Sequence, residues 1–600
     1  MKRSYLLRYF FAVFLFAPLF AFPLAFGKVW FARVSLFGEV PGVDFSFLAL
    51  LAGGAIIAAF PVLKPLLRQH WPVRFLLTAS GLGCLVVLAQ QLLFGFQVGS
   101  LLSGLACFLI PVAGLLLARE LRRLLPCFLA VLFLVSAAIT FREMLTEKFA
   151  VGLAGNWNWN WTLLTVSVPA LVFFLPDRRF RLWLGGFLAA AVAIGQFGLC
   201  GAYSSRGSLM AGVAAAFWIV LADFLHRRPG IRKHFVVSMA VIVLVAGSVV
   251  YCGIRSGFFA ERLPEENRLM LWQGSLALGE EHWLFGVGQD RFEGEVAPFL
   301  PESYFDSDFA SDRHPHPHNE LLFYWCGFGV AGILWWLLVL CVGVRGAILR
   351  RHGDERTLLV LWGWSVLFFH GEIDVLLQTP LAGGLFLILT GLLAGTGIPR
   401  LKTPCPHRLQ LVSAYGFALL AVVLFFLNFF GGWYCRSGKL ALRAGDPETA
   451  RKEFERSIAI RPTAENLYVL ATVELFDFRN PAGAQESLRR IRDELRLSSY
   501  SHSLGRMARA LAAEGKLNDS LPFFAAEQKN FPRSAVNLIL WQTVVRQLGR
   551  TAEADEMFGA WQELLRHKGI TPQEFPYLMR NQQLDDSPLE LRLFLNKVRK

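Results

Sequence analysis

The chain has 600 residues, 54% of them apolar and only 17% charged, with 54 phenylalanines and a net charge of +14. A water-soluble particle cannot hide that much apolar surface, and apolar runs reaching the ~20 residues that a bilayer requires exclude a string of soluble domains. The positive charge falls in short clusters between apolar runs, a placement that orients membrane helices and gives no face for nucleic acid.

The N-terminal stretch 1–26 sets Lys2, Arg3 and Arg8 before a long apolar run. That run exceeds the roughly 7–15 residues of a signal peptide and no small-residue cleavage site follows it, so it is expected to be the first span. Further spans are expected at 44–63, 75–95, 99–118, 124–141, 161–176, 182–200, 208–225, 235–253, 320–343, 357–376, 380–397 and 411–432. With the first this makes thirteen. The connections on one side hold 23 lysines and arginines, among them Arg119, Arg122, Arg123, Arg178, Arg179 and Arg181, and the short connections on the other side hold five. The positive-inside rule then predicts a cytoplasmic N-terminus and an external C-terminus. Nine cysteines, with no Cys-x-x-Cys pair, mostly lie in or beside the spans, where they read as small apolar filler without a redox or zinc role.

Residues 254–319 form one long external loop with twelve acidic residues and five arginines. Connections of that length are usually functional or disordered. Leu269, Trp272, Leu276 and Leu278 have helical spacing, so a surface helix is expected over Glu265 to Glu281, stopped by Phe285-Gly-Val-Gly288.

After the last span the composition turns polar, which divides the chain into a membrane domain, 1–435, and a soluble domain, 436–600. The soluble part repeats at Gly445-Asp-Pro-Glu-Thr-Ala450, Arg479-Asn-Pro-Ala-Gly-Ala484, Gly515-Lys-Leu-Asn-Asp-Ser520 and Gly549-Arg-Thr-Ala-Glu-Ala554, at intervals of 34, 36 and 34 residues. Amphipathic helices follow each start, and Pro462 and Pro532 close corresponding helices. This resembles the tetratricopeptide repeat, a solenoid of helix pairs whose concave face usually binds a protein or peptide. A solenoid that merely packs on the membrane domain is the plainer alternative. The fold class expected is therefore all-α, a polytopic transmembrane helical bundle followed by a soluble α-solenoid.

Chemistry concentrates in Asp312 to Gly332, where His314, His316 and His318 alternate with prolines and run directly into an apolar helix. A titratable tip fused to a hydrophobic span suits chemistry at a membrane face. His318-Asn319 is followed by nine residues and Gly329-Val-Ala-Gly332. Upstream lie Ser205-Arg206-Gly207, then Asn267-Arg268 with Trp272, then Phe285-Gly-Val-Gly-Gln-Asp-Arg-Phe292.

On those motifs, residues 150 to 400 resemble the O-antigen ligase family, membrane glycosyltransferases related to O-antigen polymerases and to O-linked protein oligosaccharyltransferases. The resemblance implies a GT-C-like bundle in a bacterial inner membrane. It implies transfer of a glycan from an undecaprenyl-diphosphate-linked donor in the membrane lipid to a lipid A core or another acceptor, outside that membrane and without metal or cofactor. It also implies that Arg206, Arg268 and His318 are catalytic. The expected topology puts all three on the external side. Guanidinium forks match the oxygens of a diphosphate leaving group, and an imidazole can take the proton of a weakly acidic acceptor hydroxyl. In-line displacement would invert the anomeric centre.

Each residue also has a plainer role. Arg206 is compatible with an interfacial charge, Arg268 with a pair to Glu265 or Glu266, and His318 with a helix cap. A metal held by the three histidines lacks a secure carboxylate. Asn156-Trp-Asn-Trp-Asn-Trp161 suits an aromatic belt or sugar stacking, and the family often has an asparagine before this span, here Asn158 or Asn160. His370, Glu372 and Asp374 at an external helix end suit a supporting role, and Asp290 with Arg291 suits a turn pair. Asn319, Asn160, Trp272, His316, Arg291, His370 and Asp374 are thus the candidate substrate-binding residues. One departure from the family pattern is Met210, where leucine is common. The competing activities are polymerisation and protein glycosylation. A non-catalytic scaffold is the alternative from another class. A transporter lacks support, since no paired internal repeats are evident.

Overall fold

The computed structural model describes residues 2–26, 46–69, 71–95, 97–146, 153, 156–197, 205–228, 230, 245, 247–259, 267–306, 314–349, 354–398, 407–573 and 575, and every regular element among them is helical. The membrane bundle contains α1 (Lys2–Phe26), α2 (Ser46–Gln69), α3 (Trp71–Phe94), α4 (Val98–Leu116), α5 (Ala118–Thr146), α6 (Trp157–Phe173), α7 (Arg178–Phe197) and α8 (Arg206–Arg227). The surface helix α9 (Asn267–Glu281) precedes α10 (Glu320–Leu349), α11 (Glu355–Gly371), α12 (Pro380–Ala394) and α13 (Arg408–Arg443). Among the described residues six helices, within α3, α4, α5, α8, α10 and α13, are long and apolar enough to cross a membrane. The expected span 235–253 lies mostly outside the described residues.

Small residues let the central helices meet backbone to backbone. A Cβ on Gly391 would stand 2.2 Å from the Pro111 carbonyl oxygen, and one on Gly114 would stand 2.8 Å from that of Ile388. Close approach of this kind drives helix association where no hydrophobic gain separates helix from lipid. Around it Tyr324, Trp336, Phe368 and Trp364 form a continuous aromatic stack joining α10 to α11, with successive ring centroids 5.1, 5.4 and 5.0 Å apart.

The basic clusters terminate helices at one end of the bundle. Arg122 donates to the carbonyl of Leu392 at 2.7 Å and to Thr396 and Thr357 at 3.0 and 3.1 Å. Arg345 donates to the Ala394 and Thr396 carbonyls at 3.3 and 3.2 Å. Guanidinium groups thus satisfy carbonyls that a helix C-terminus leaves orphaned. Arg8 is buried beside Glu120 at 2.9 Å and also caps the Leu116 carbonyl at 2.8 Å. Expected spans 99–118 and 124–141 are separated by a single turn residue, Leu117, and Arg119, Arg122 and Arg123 belong to the first turns of α5.

At the opposite end α10 breaks. Gly329 adopts φ 60° and ψ −143°, and the freed carbonyls of Cys326 and Gly327 accept from Val287 and Gly288 N–H at 2.8 and 3.0 Å. Val330 N–H donates to the Trp283 carbonyl at 2.7 Å, and Gln90 Nε2 adds a 2.6 Å bond to Gly327 O. The Phe285-Gly-Val-Gly288 segment is therefore knitted into a kinked helix. A Cβ on Gly329 would lie 2.4 Å from Trp283 O. Left-handed strain plus this collision predicts that Gly329→Ala costs about 2–4 kcal/mol. Thermal unfolding in detergent checks it, with a lowered midpoint expected for Gly329→Ala and none for Gly81→Ala, where a Cβ meets nothing within 4 Å.

Two expected boundaries move. The span 357–376 ends as a helix at Gly371, because Ile373 and Asp374 N–H both turn back to His370 O at 3.0 Å and Asp374 Oδ1 accepts from Val375 N–H at 2.8 Å. A short carboxylate competing for backbone donors ends helices in this way. The expected division at 435/436 falls inside α13, whose 36 residues contain no proline. At 1.5 Å per residue that is about 54 Å of unbroken helix running from the bundle into the C-terminal helices.

There α14 (Pro447–Ile460), α15 (Ala464–Phe476), α16 (Pro481–Asp493), α17 (Ser503–Ala513), α18 (Leu517–Asn530), α19 (Ala535–Gln547) and α20 (Thr551–His567) follow as antiparallel neighbours. All four repeat starts, Gly445, Arg479, Gly515 and Gly549, have positive φ of 76°, 51°, 78° and 80°. Each closes one helix and turns the chain into the next, which is the usual work of a glycine beyond a helix C-terminus.

Candidate active site

Three of the residues singled out above, His318, Asn319 and Arg268, contact the turn His370–Asp374, which the early end of α11 creates. His318, at the end of the proline-rich segment, is held at φ 56°. Its Nδ1 lies 3.3 Å from Asp374 Oδ1, and the other oxygen of Asp374 lies 3.7 Å from His370 Nε2. With Nδ1–H donating to this carboxylate, Nε2 keeps the lone pair and is the proton acceptor. Asn319 fixes the register: Oδ1 accepts from Leu322 N–H at 2.8 Å as the cap of α10, and Nδ2 donates to Glu372 O at 2.7 Å. The Trp336 indole reaches Glu372 Oε1 at 2.7 Å, so the aromatic stack also holds the turn. From behind, buried Glu320 accepts from Gln378 Nε2 at 2.8 and 3.0 Å.

Two other helices pack on the same turn. Arg268, in the first turn of α9, donates from Nη1 to Ile373 O at 3.0 Å. Arg206 opens α8 and is exposed, and its neighbour Gly207 packs so tightly that a Cβ would lie 3.3 Å from both His370 Nε2 and Ile373 Cδ1. Ser205 caps this helix through Ser208 N–H at 3.3 Å. Gln196 secures the cap, accepting from Ser205 N–H at 3.0 Å and donating to Ser208 Oγ and Thr165 Oγ1 at 2.9 and 2.8 Å. Arg268 and His318 therefore contact this turn directly, and exposed Arg206 opens the helix whose next residue, Gly207, packs against it.

The other candidates divide between the turn's buried side and places away from it. His370 is 1% exposed and bonded to Thr162, inside the bundle behind the turn. Asn160, also 1% exposed, donates to Thr140 at 2.6 Å, so it faces α5. Trp272 packs with Ile254, Leu276, Leu322 and Trp325, a hydrophobic role. Arg291 is the largest departure: its side chain is buried, paired with Glu295 at 2.9 Å, and donates to the carbonyls of Leu495 and Arg496. His314 bonds Tyr304 and His316 packs edge-on to His318 at 4.8 Å. Burial and the neighbouring His318 push the His316 imidazole down to about 3, which keeps it neutral. Among the described residues no group of three or more His, Cys, Asp or Glu is arranged to hold a metal.

Gln196, Thr162, Glu320, Gln378 and Trp336 were missed by sequence reasoning. Each acts through a partner at least 12 positions away, and no local pattern marks it. Such an arrangement sets one guanidinium and one imidazole on a single turn, with a second, exposed guanidinium opening the adjacent helix, groups able to bind a phosphate and to accept a proton beside it.

Residues 190–337 match the family model described as O-Antigen ligase. No curated protein matches the chain. The match spans Arg206, Arg268, His318 and the Gly329–Gly332 kink, and it stops before the turn on which they converge. Residues 190–337 of this membrane protein are thus an O-antigen ligase domain.

Proposed function

We propose that the chain transfers a glycan from an undecaprenyl-diphosphate-linked donor to an acceptor hydroxyl, with lipid A core as the acceptor, at the outer face of a bacterial inner membrane. The observation that carries this is the contact of Arg268 and His318 with the single turn His370–Asp374, against which the start of the Arg206 helix also packs at Gly207. In this reading the two arginines hold the diphosphate oxygens. The acceptor oxygen attacks the sugar C1 while its proton passes to His318 Nε2. The C1–O bond to phosphate breaks, its electron pair leaves with undecaprenyl diphosphate, and the anomeric centre inverts. Fixed guanidinium charge stabilises the leaving group as charge develops, the role a metal would otherwise fill. Asp374 orients the imidazole and stabilises it once protonated.

Thirteen spans complete the topology, with the N-terminus in the cytoplasm and a tetratricopeptide-like domain in the periplasm. The basic helix ends and the site lie at opposite ends of the bundle, as the positive-inside rule requires of that arrangement. The test is an in vitro assay with purified protein and a lipid-linked glycan, offering lipid A core, a serine peptide and a second lipid-linked glycan as competing acceptors. Label on lipid A core is expected. Label on the peptide or on lengthened glycan would replace ligation by protein glycosylation or polymerisation, and absence of any transfer would leave the scaffold.

A further inference from the structure

We propose that the C-terminal helical domain positions the catalytic loop, with Arg533 and Arg291 as the positioning residues, so that transfer depends on a domain that contributes no reacting group. This rests on the glycosyltransferase reading above and assigns a role within it to residues distant from the chemistry.

The first anchor is the corner between α18 and α19. Arg533 reaches Asp306 at 3.0 Å and Glu302 at 3.3 Å, both in the last described turn before the histidine segment. Beside it Phe531 is 4% exposed and stacks edge-on to Phe305 at 5.9 Å. Phe531 belongs to one apolar cluster with Tyr304, Val287, Met270 and Leu271. The second anchor is the bend after α16. The Gly294 carbonyl accepts from Ser499 N–H and Oγ, both at 2.8 Å, and Ser498 Oγ donates to Glu295 at 2.6 Å. Arg291 passes into this bend, donating to Leu495 O at 2.7 Å and also to Arg496 O. A buried guanidinium stripped of those carbonyls would be left uncompensated, so the contact is costly to open.

Both anchors lead to the site by short routes. Met270 and Leu271 lie on the same helix as Arg268, two and three residues on. Tyr304 bonds His314, four residues before His318. Val287 and Gly288 pair with the kink of α10, the helix that Asn319 caps. Because α13 is continuous, the domain that supplies the anchors is also rigidly tied to the bundle. Catalytic groups displaced by about 1 Å lose roughly 100-fold in rate, so a loosened loop has a large kinetic effect without any lost contact to substrate.

The experiment uses the full-length protein in four forms: wild type, Arg533→Asp, Asp306→Arg and the double exchange. Each single variant is expected to lose about 10- to 100-fold in kcat with little change in donor KM. The double exchange, which restores the ion pair with signs reversed, is expected to recover most of that loss. Chymotrypsin nicking of residues 254–319, read without substrate, should rise in both singles and return to the wild-type level in the double. Single variants with wild-type rates, or a double no better than the singles at equal membrane levels, would overturn the proposal. Should a single fail to reach the membrane, Arg533→Gln removes the charge without repulsion and carries the same expectation. If wild type itself transfers nothing, the glycosyltransferase reading fails. The nicking pattern then decides separately whether the domain holds the loop, and equal resistance in all four forms would reject that too.

Discussion

Replacing His318 by asparagine is expected to lower glycan transfer by about 10²–10⁴-fold at an unchanged membrane level, the range usual for removal of a general base. Asparagine is the informative substitute because His318 sits at φ 56°. Asparagine tolerates that region better than most residues, so the imidazole is removed without adding backbone strain. The same reasoning makes Asp374→Asn a milder lesion. Its amide no longer fixes which imidazole nitrogen bears the proton, nor balances the charge that forms during attack, yet the base remains in place. Initial rates at saturating donor separate the two, with wild type fastest, Asp374→Asn intermediate and His318→Asn slowest.

The second large effect concerns the diphosphate. Arg268→Ala is expected to reduce kcat by about 10²–10³-fold, the scale of losing one preorganised donor to developing charge. Arg268→Lys should recover part of it, because an ammonium restores the charge but not the planar fork that meets two phosphate oxygens. Arg206→Ala should behave similarly. Because both guanidinium groups act on one leaving group, the double variant is expected to lose less than the product of the single losses. Rates of the four forms with one purified donor check this. Strict multiplicativity would mean that the arginines serve separate sites.

Much of the fold was legible because membrane helices announce themselves by apolar length and by basic flanks. The helix ends were less so. The expectation of helix to residue 376 failed at Gly371 because a carboxylate three residues on captures backbone donors, a competition that hydropathy does not register. Gly445, Arg479, Gly515 and Gly549 were picked out by spacing, and they share a conformation that spacing does not reveal: Arg479 takes a positive φ like the three glycines. The Gly329–Gly332 motif was likewise visible as a pattern. Only the coordinates explain it, as the point where α10 opens its backbone to Val287 and Gly288.

The site divides in the same way. Arg206, Arg268 and His318 stand in recognisable local contexts, whereas the turn that collects them has no motif of its own. Asp374 meets His318 across 56 positions, and Thr162 meets His370 across 208. Arg291 misled for the same reason. Next to Asp290 it looks like half of a turn pair or a ligand contact, and one of its actual partners, the Leu495 carbonyl, lies 204 positions downstream. Contacts of that separation arise from packing alone.

The most direct measurement is an electron cryo-microscopy structure of the His318→Asn variant, stalled with its undecaprenyl-diphosphate-linked donor. Diphosphate density within hydrogen-bonding reach of both Arg206 and Arg268, with the sugar C1 turned toward residue 318, is the predicted result. Donor density anywhere else, or a diphosphate touching neither arginine, would contradict it.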